Sequence, residues 1–145
     1  MRGVILDGDS LGPQINLDGI LGTLQNWTVY PSTSPEETLN RVKEATIVLS
    51  NKVVLDQSIL SQCSNLKFIG ILATGMNNVD LEAAASLKIR VQNVEDYSTE
   101  SVAQHTMSLI LSLAGSLSSY NQGVRSGKWQ TSPFFCWYYY YCVYN

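Results

Sequence analysis

The residues whose types and spacing point most directly to chemistry lie between positions 69 and 80, where the chain reads Ile-Gly-Ile-Leu-Ala-Thr-Gly-Met-Asn-Asn-Val-Asp. An apolar run interrupted by Gly70 closes at Gly75 and passes through a polar turn into an Ala-rich segment. Open α/β sheets present backbone N–H groups to an anion in this way, at the carboxyl edge of the sheet and beside a helix N-terminus. The same residues also describe a plain strand-to-helix connection capped by Asn78 or Asp80, and spacing alone favours that plainer reading. Two carboxylates, Asp7 and Asp9, share the first turn of the chain, and the single histidine, His105, falls inside a segment of helical periodicity.

Such a turn makes a pocket but not yet a reaction, and it requires elements that hold it, which the order of apolar runs supplies. Strands are predicted over 2–6, 27–30, 46–49, 66–72 and 89–91. A short helix is expected among Ile15, Leu17, Ile20, Leu21 and Leu24, although Gly19 and Gly22 disfavour it. Ser34-Pro35-Glu36-Glu37 is a helix start: Ser34 can cap the Glu37 N–H, Pro35 suits the first helical position, and the carboxylates favour the positive end of the dipole. That helix should run to about Glu44. Asp56 caps another through Leu60, and 80–87 forms the helix after the central strand. Alternating strands and helices of this kind imply a flavodoxin-like, doubly wound parallel α/β sheet with right-handed crossovers.

From Ser98, a credible N-cap, Val102, Thr106, Leu109, Ile110, Leu113, Ala114 and Leu117 recur at helical spacing, predicting one long helix to about Tyr120. Ala103, Met107 and Leu111 widen its apolar surface, which suggests burial on two sides or a partner. The tail is different again: Phe134-Phe135-Cys136-Trp137 is followed by Tyr138 to Tyr141 and then Cys142, an uncharged stretch of high β-propensity and an aggregation signature.

At 145 residues, with 45% hydrophobic and 14% charged residues, one domain with a real core is the prior. A net charge of -3 with scattered Lys and Arg argues against a nucleic-acid partner. Cys63, Cys136 and Cys142 show neither a disulfide framework nor metal spacing with His105, and read as reduced thiols of a cytoplasmic protein. The N-terminal apolar run before Asp7 is too short for an export signal or a membrane span.

Taken as a set, Ser50-Asn51-Lys52, Ala73-Thr74-Gly75-Met76-Asn77-Asn78-Val79-Asp80, Tyr97-Ser98-Thr99-Glu100-Ser101-Val102-Ala103-Gln104-His105 and Gly127-Lys128-Trp129-Gln130 resemble the D-isomer-specific 2-hydroxyacid dehydrogenases, nearest the glycerate dehydrogenase or hydroxypyruvate reductase branch. The resemblance runs in order from the first strand to about Cys136. It implies a substrate-binding (catalytic) domain over 1–97, a long helix over 98–122 leading toward a cofactor domain, and a loop and atypical aromatic tail over 123–145. It also implies an NAD or NADP cofactor, a small 2-oxo or 2-hydroxy acid of the glyoxylate/hydroxypyruvate class, and a family homodimer whose dimer surface is not expected in this chain.

By the same resemblance, the backbone N–H groups of Thr74 and Gly75 hold the substrate carboxylate, Asn51 and Lys52 line the pocket, and Thr99 and Val102 approach the nicotinamide. Plainer readings stand beside these: Gly75 serving a positive φ, Asn51 bonding its own loop, Lys52 a solvated charge, Thr99 in a first helical turn. His105 does not match the family's catalytic histidine and reads as a structural or domain-interface residue. The family's Gly-rich loop, substrate-clamping Arg and Glu-His pair have no counterpart here, so no catalytic residue is assigned, cofactor binding by this chain alone is not expected, and a truncated, frameshifted or mis-spliced reading frame would explain the tail.

Two rivals belong to other classes. Ile5-Leu6-Asp7-Gly8-Asp9-Ser10-Leu11 resembles the opening of Mg-dependent haloacid-dehalogenase phosphatases, with Asp7 as nucleophile and Asp9 as general acid. Positions 75–80 supply only one of the further acidic pair such a site needs, so Asp7 and Asp9 are better read as turn residues. The other rival is a non-catalytic interaction module built on the long helix.

Overall fold

The computed structural model describes residues 1–133; the aromatic tail from Phe134 onward, with Cys136 and Cys142, lies outside the described residues. The chain divides into two compact units, Met1–Asp96 and the residues from Tyr97 onward.

The first unit is built on a five-stranded sheet in the order β2-β1-β3-β4-β5, with β1 Gly3–Ile5, β2 Trp27–Val29, β3 Ile47–Ser50, β4 Phe68–Ile71 and β5 Arg90–Gln92. Every pairing is parallel. This is the flavodoxin-like α/β order, in which the chain moves outward from β1 to β2, then returns past β1 to add β3, β4 and β5. Four α-helices connect the strands, α1 Asp18–Leu21, α2 Pro35–Val42, α3 Gln57–Leu60 and α4 Leu81–Ser86, with a short 3-10 helix, Gly8–Leu11, ahead of α1. β1, β2 and β4 are shorter than the apolar runs that predict them, because the run ends turn into loops, while β3 and β5 keep the predicted length and lie one residue later.

Register explains which residues are large and which are small. Val4, Val48, Ile69 and Val91 are neighbours across the sheet. The first three, with Leu6 and Ile71, join Val42, Leu55, Leu60, Leu66, Val79, Ala84 and Ile89 in one buried core, and the partly buried Val91 packs against it. Full burial of each such aliphatic side chain favours folding by roughly 1.5–3 kcal/mol. The alternate positions face the other side, as the period of two requires. There Gly70 lies beside Leu49, whose Cδ2 would sit 2.5 Å from a Cβ at that position, and Gly3 lies under the Trp27 ring.

The helix ends follow the sequence closely. Glu37 accepts the Ser34 N–H at 3.1 Å, with Pro35 in the first turn. Asp56 accepts the Ile59 N–H at 3.0 Å. Of the two candidates before α4, Asp80 is the cap, accepting the Ala83 N–H at 2.9 Å, while Asn78 turns elsewhere. Helix α2 stops at Val42 rather than Glu44. The expected helix through Leu24 shrinks to the four residues of α1, since Gly19 and Gly22 lower its propensity and the Thr23 hydroxyl bonds back to the Ile20 carbonyl at 2.6 Å.

The second unit corrects a larger expectation. The helix predicted as continuous over 98–120 is two helices, α5 Thr99–Ala114 and α6 Leu117–Arg125, and a short α7, Lys128–Thr131, follows where loop was expected. Ser116 at φ 51° takes the left-handed conformation and breaks the ladder, next to Gly115, a weak helix former. Ser98 stands at the N-cap position of α5 without a side-chain cap bond. No residue of α5 is buried; Leu111 is 66% and Leu113 79% exposed. Among the described residues no helix is long and apolar enough to cross a membrane.

Candidate functional site

All five strands point their carboxyl ends to one edge, and the loops leaving β1, β3, β4 and β5 meet there. β3 and β4 stay paired through the Leu72 N–H, which donates to the Ser50 carbonyl at 2.9 Å. Beyond it the chain past β5 takes over: the Val94 N–H donates to the Ala73 carbonyl at 3.1 Å, and the Asn93 side-chain amide donates to the Thr74 carbonyl at 2.7 Å. These peptides are trans, so a carbonyl held on one side sends the following N–H to the other. The N–H groups of Thr74 and Gly75 are therefore directed away from the chain after β5, and neither makes a hydrogen bond among the described residues. Both residues are exposed. Gly75 is not among the glycines of positive φ, so a left-handed turn is not what its type serves.

The neighbouring loop is tied to this one. Asn78 donates its side-chain amide to the Val53 carbonyl at 3.0 Å, the Leu55 N–H donates to the Asn78 carbonyl at 2.8 Å, and the Asp80 N–H donates to the Leu55 carbonyl at 3.0 Å. Asn51, Lys52, Thr74 and Gly75 thus stand on two loops braced against each other at one sheet edge. Asn51 does not bond within its own loop; its side-chain amide donates to Ser10 Oγ at 3.1 Å. The Lys52 ammonium is exposed and unpaired among the described residues, and its side chain borders a groove of about 600 Å³ with Thr33, Pro35, Thr38, Val53 and Ile59. Thr99 and Val102 lie in the first turn of α5, in the second unit, and both are exposed. His105 is exposed on the same helix.

Sequence reasoning missed two residues here. Asn93 carries no motif; its only signal is its place just past β5, at the edge the other loops share. Asp7 is more than a turn residue. It is buried, and its carboxylate accepts the Asn51 N–H at 3.0 Å, the Lys52 N–H at 2.7 Å and the Ser50 hydroxyl at 3.4 Å. Asp7 is buried and tied to the turn after β3, and among the described residues no group of three His, Cys, Asp or Glu side chains forms a metal site, so Asp7 does not suit the nucleophile role of the phosphatase reading.

Titration behaviour is ordinary for a fold held by caps. Glu36 and Glu37 are held below the usual carboxylate range by hydrogen bonds from the Ser34 hydroxyl and the Ser34 backbone respectively. Asp56 is lowered by the Ser58 hydroxyl and then by the Ile59 N–H. Burial pushes the Cys63 thiol up, consistent with an unreactive core cysteine. Among the described residues no three His, Cys, Asp or Glu side chains gather as metal ligands.

A dinucleotide does not suit the helix starts of α2 to α5. Its pyrophosphate needs an open helix N-terminus behind a Gly-rich turn. The ends of α2, α3 and α4 already carry the carboxylates of Glu37, Asp56 and Asp80, and α5 has Glu100 in its first turn. A second negative charge at any of them meets repulsion.

Comparison with known proteins accords with this geometry. The family model described as D-isomer specific 2-hydroxyacid dehydrogenase, catalytic domain, matches residues 15–139. The chain is 37% identical over 140 residues to the hydroxypyruvate reductase of Blautia hydrogenotrophica, covering 94% of this chain and 43% of that protein. It is 37% identical over 117 residues to the glycerate dehydrogenase of Methylorubrum extorquens, covering 80% of this chain and 37% of that protein. The chain therefore spans about two fifths of the length of these curated relatives. Its fold is shared with the solved structure of an acyclic imino acid reductase in complex with NADPH and D-Arg, at a TM-score of 0.77 and 20% identity, over 88% of this chain and 41% of that one. With the family pattern matched across most of its length and the parallel sheet in place, this chain belongs to the D-isomer specific 2-hydroxyacid dehydrogenase family, in the region of its catalytic domain.

Proposed function

We propose that residues 1–97 are the substrate-binding part of an NAD(P)-dependent oxidoreductase that interconverts a small 2-oxo acid and a D-2-hydroxy acid of the glyoxylate/hydroxypyruvate class. The observation that carries this reading is the pair of unspent N–H groups at Thr74 and Gly75, fixed in direction by Asn93 and Val94. Two parallel donors with no internal acceptor suit one carboxylate, and they need no reorganisation when it arrives. The Lys52 ammonium and Asn51 contribute the adjoining side chains. Thr99 and Val102 are assigned to the nicotinamide side, with 98–122 leading toward a cofactor domain and 123–145 as loop and tail. A cytoplasmic homodimer belongs to the same reading.

The 145-residue chain alone is proposed to lack dehydrogenase activity. Holding a nicotinamide within reacting distance of the substrate is worth roughly 7–11 kcal/mol of the barrier, and the starts of α2 to α5 offer no pyrophosphate site with which to do so. The test is NADH oxidation with hydroxypyruvate and with glyoxylate, run on this chain and on residues 1–136 continued by a cofactor domain. Turnover by the short chain alone refutes the claim; turnover by the longer chain alone supports both the family activity and the division of labour. A second reading, a non-catalytic interaction module, is favoured by the exposed apolar side chains of α5, Leu109, Ile110, Leu111 and Leu113. It predicts no turnover by the longer chain and no response of Thr74 or Gly75 to either acid.

A further inference from the structure

In an open parallel sheet, ligands settle outside the carboxyl ends of the strands where the order of winding reverses. In this sheet that point lies between β1 and β3, since β1 pairs with β2 on one side and β3 on the other. The donors expected at such a point are present. The turn after β3 offers the Asn51 N–H, the Lys52 N–H and the Ser50 hydroxyl, and Ser50 Oγ in turn accepts the Val53 N–H at 3.0 Å. All three outward donors end on Asp7, which is only 6% exposed.

Asp7 is itself fixed from its own side. The Gly8 N–H donates to the Tyr30 carbonyl at 2.9 Å, the Asp9 N–H donates to the Pro31 carbonyl at 3.1 Å, and the Thr33 hydroxyl donates to the Leu6 carbonyl. The carboxylate is thus delivered to the switch point by a loop pinned to the chain beyond β2.

We propose that Asp7 is a specificity-determining residue: its carboxylate permanently fills the anion site at the switch point, excluding external anions there and leaving Thr74 and Gly75, one strand further along, as the pair open to a substrate carboxylate. The second half of this statement rests on the reading given under Proposed function. The first half stands on the geometry of Asp7 alone. Charge-assisted bonds from two peptide N–H groups make the internal carboxylate a strong occupant, and an incoming anion meets both a filled site and a like charge.

The experiment uses the 145-residue chain, labelled with 15N, as wild type, Asp7→Gly and Asp7→Asn, with sodium formate and sodium glyoxylate as probes. In wild type, formate leaves the Asn51 and Lys52 amides unmoved while glyoxylate moves those of Thr74 and Gly75. In Asp7→Gly, formate enters the vacated space, moves the Asn51 and Lys52 amides saturably toward their wild-type positions, and raises the urea midpoint. Saturable formate binding at Asn51 and Lys52 in wild type, or a folded Asp7→Gly protein that ignores formate, overturns the assignment. If Asp7→Gly does not fold, Asp7→Asn decides by amide exchange: it keeps the volume and loses the charge, so exchange at Asn51 and Lys52 should quicken at least tenfold relative to Val4, and unchanged exchange overturns the assignment. Formate rescue without a glyoxylate response at Thr74 and Gly75 supports the exclusion by Asp7 and overturns the substrate reading, so the two claims fail separately.

Discussion

The side-chain amide of Asn93 donates to the carbonyl of Thr74 across 2.7 Å, joining the end of β5 to the loop after β4. Because a trans peptide opposes its C=O and N–H, this one bond sets the direction of the Gly75 N–H. Asn93→Ala should leave the sheet folded, at a cost of about 1 kcal/mol, the net worth of one such bond. The same change should weaken glyoxylate binding, read as reduced amide shifts at Thr74 and Gly75 at a given glyoxylate concentration. Equal shifts in variant and wild type would show that the loop is held by Val94 alone.

Gly70 faces Leu49 on the adjacent strand, and a methyl group there would lie 2.5 Å from Leu49 Cδ2. Gly70→Ala should therefore cost about 1–3 kcal/mol by overpacking. Leu49→Ala is itself destabilising, but it makes the room, so the double variant should lose less than the sum of the two. A urea-unfolding cycle on the four proteins measures that coupling; strict additivity would mean the contact is relieved by backbone movement instead.

Lys88, just past the C-cap Leu87 of α4, stands at φ 58°, with its N–H on the Ala85 carbonyl at 3.0 Å and the Ile89 N–H on the Ala84 carbonyl at 2.9 Å. That bond pattern is a Schellman motif, whose left-handed residue is usually glycine. Lys88→Gly should raise stability by about 0.5–1 kcal/mol, the relief of left-handed strain less the added freedom of the unfolded chain. An unchanged or lower urea midpoint would contradict it.

Glu37, Glu36 and Asp56 all have folded pKa values depressed by hydrogen bonds at the starts of α2 and α3. A depressed carboxylate contributes stability above its unfolded pKa and loses it as pH falls through the folded pKa. Stability should therefore decline below about pH 4, where unfolded Asp and Glu begin to take up protons. Asp56→Asn should flatten that decline, as followed by urea midpoints across the acid range; an equal slope would place the acid sensitivity elsewhere.

What the sequence makes legible is whatever depends on neighbours along the chain. Ser34, Asp56 and Asp80 announce helix starts because a cap bonds within three residues of itself, and the five apolar runs announce five parallel strands. The single long helix fails for a related reason: periodicity continues through Gly115 and Ser116, and nothing in residue type shows that Ser116 turns left-handed. The candidate site is legible only where the resemblance to a family pattern marks it, as proposed for Thr74 and Gly75. Asn93 and Asp7 act across the sheet, on partners brought near by strand order, and no local spacing encodes that.

The bonds from Lys52 and Asn51 to Asp7 span 45 and 44 positions of sequence. Closing a loop of that size costs about 3 kcal/mol of chain entropy before any contact repays it. The first strand emerges from the ribosome long before its carboxylate has anything to hold, and β3 must be added before the switch point exists at all. Assembly of this edge is thus a late, topology-limited step, so slow-folding variants should be found among residues of β1 and β3 and not among the local caps.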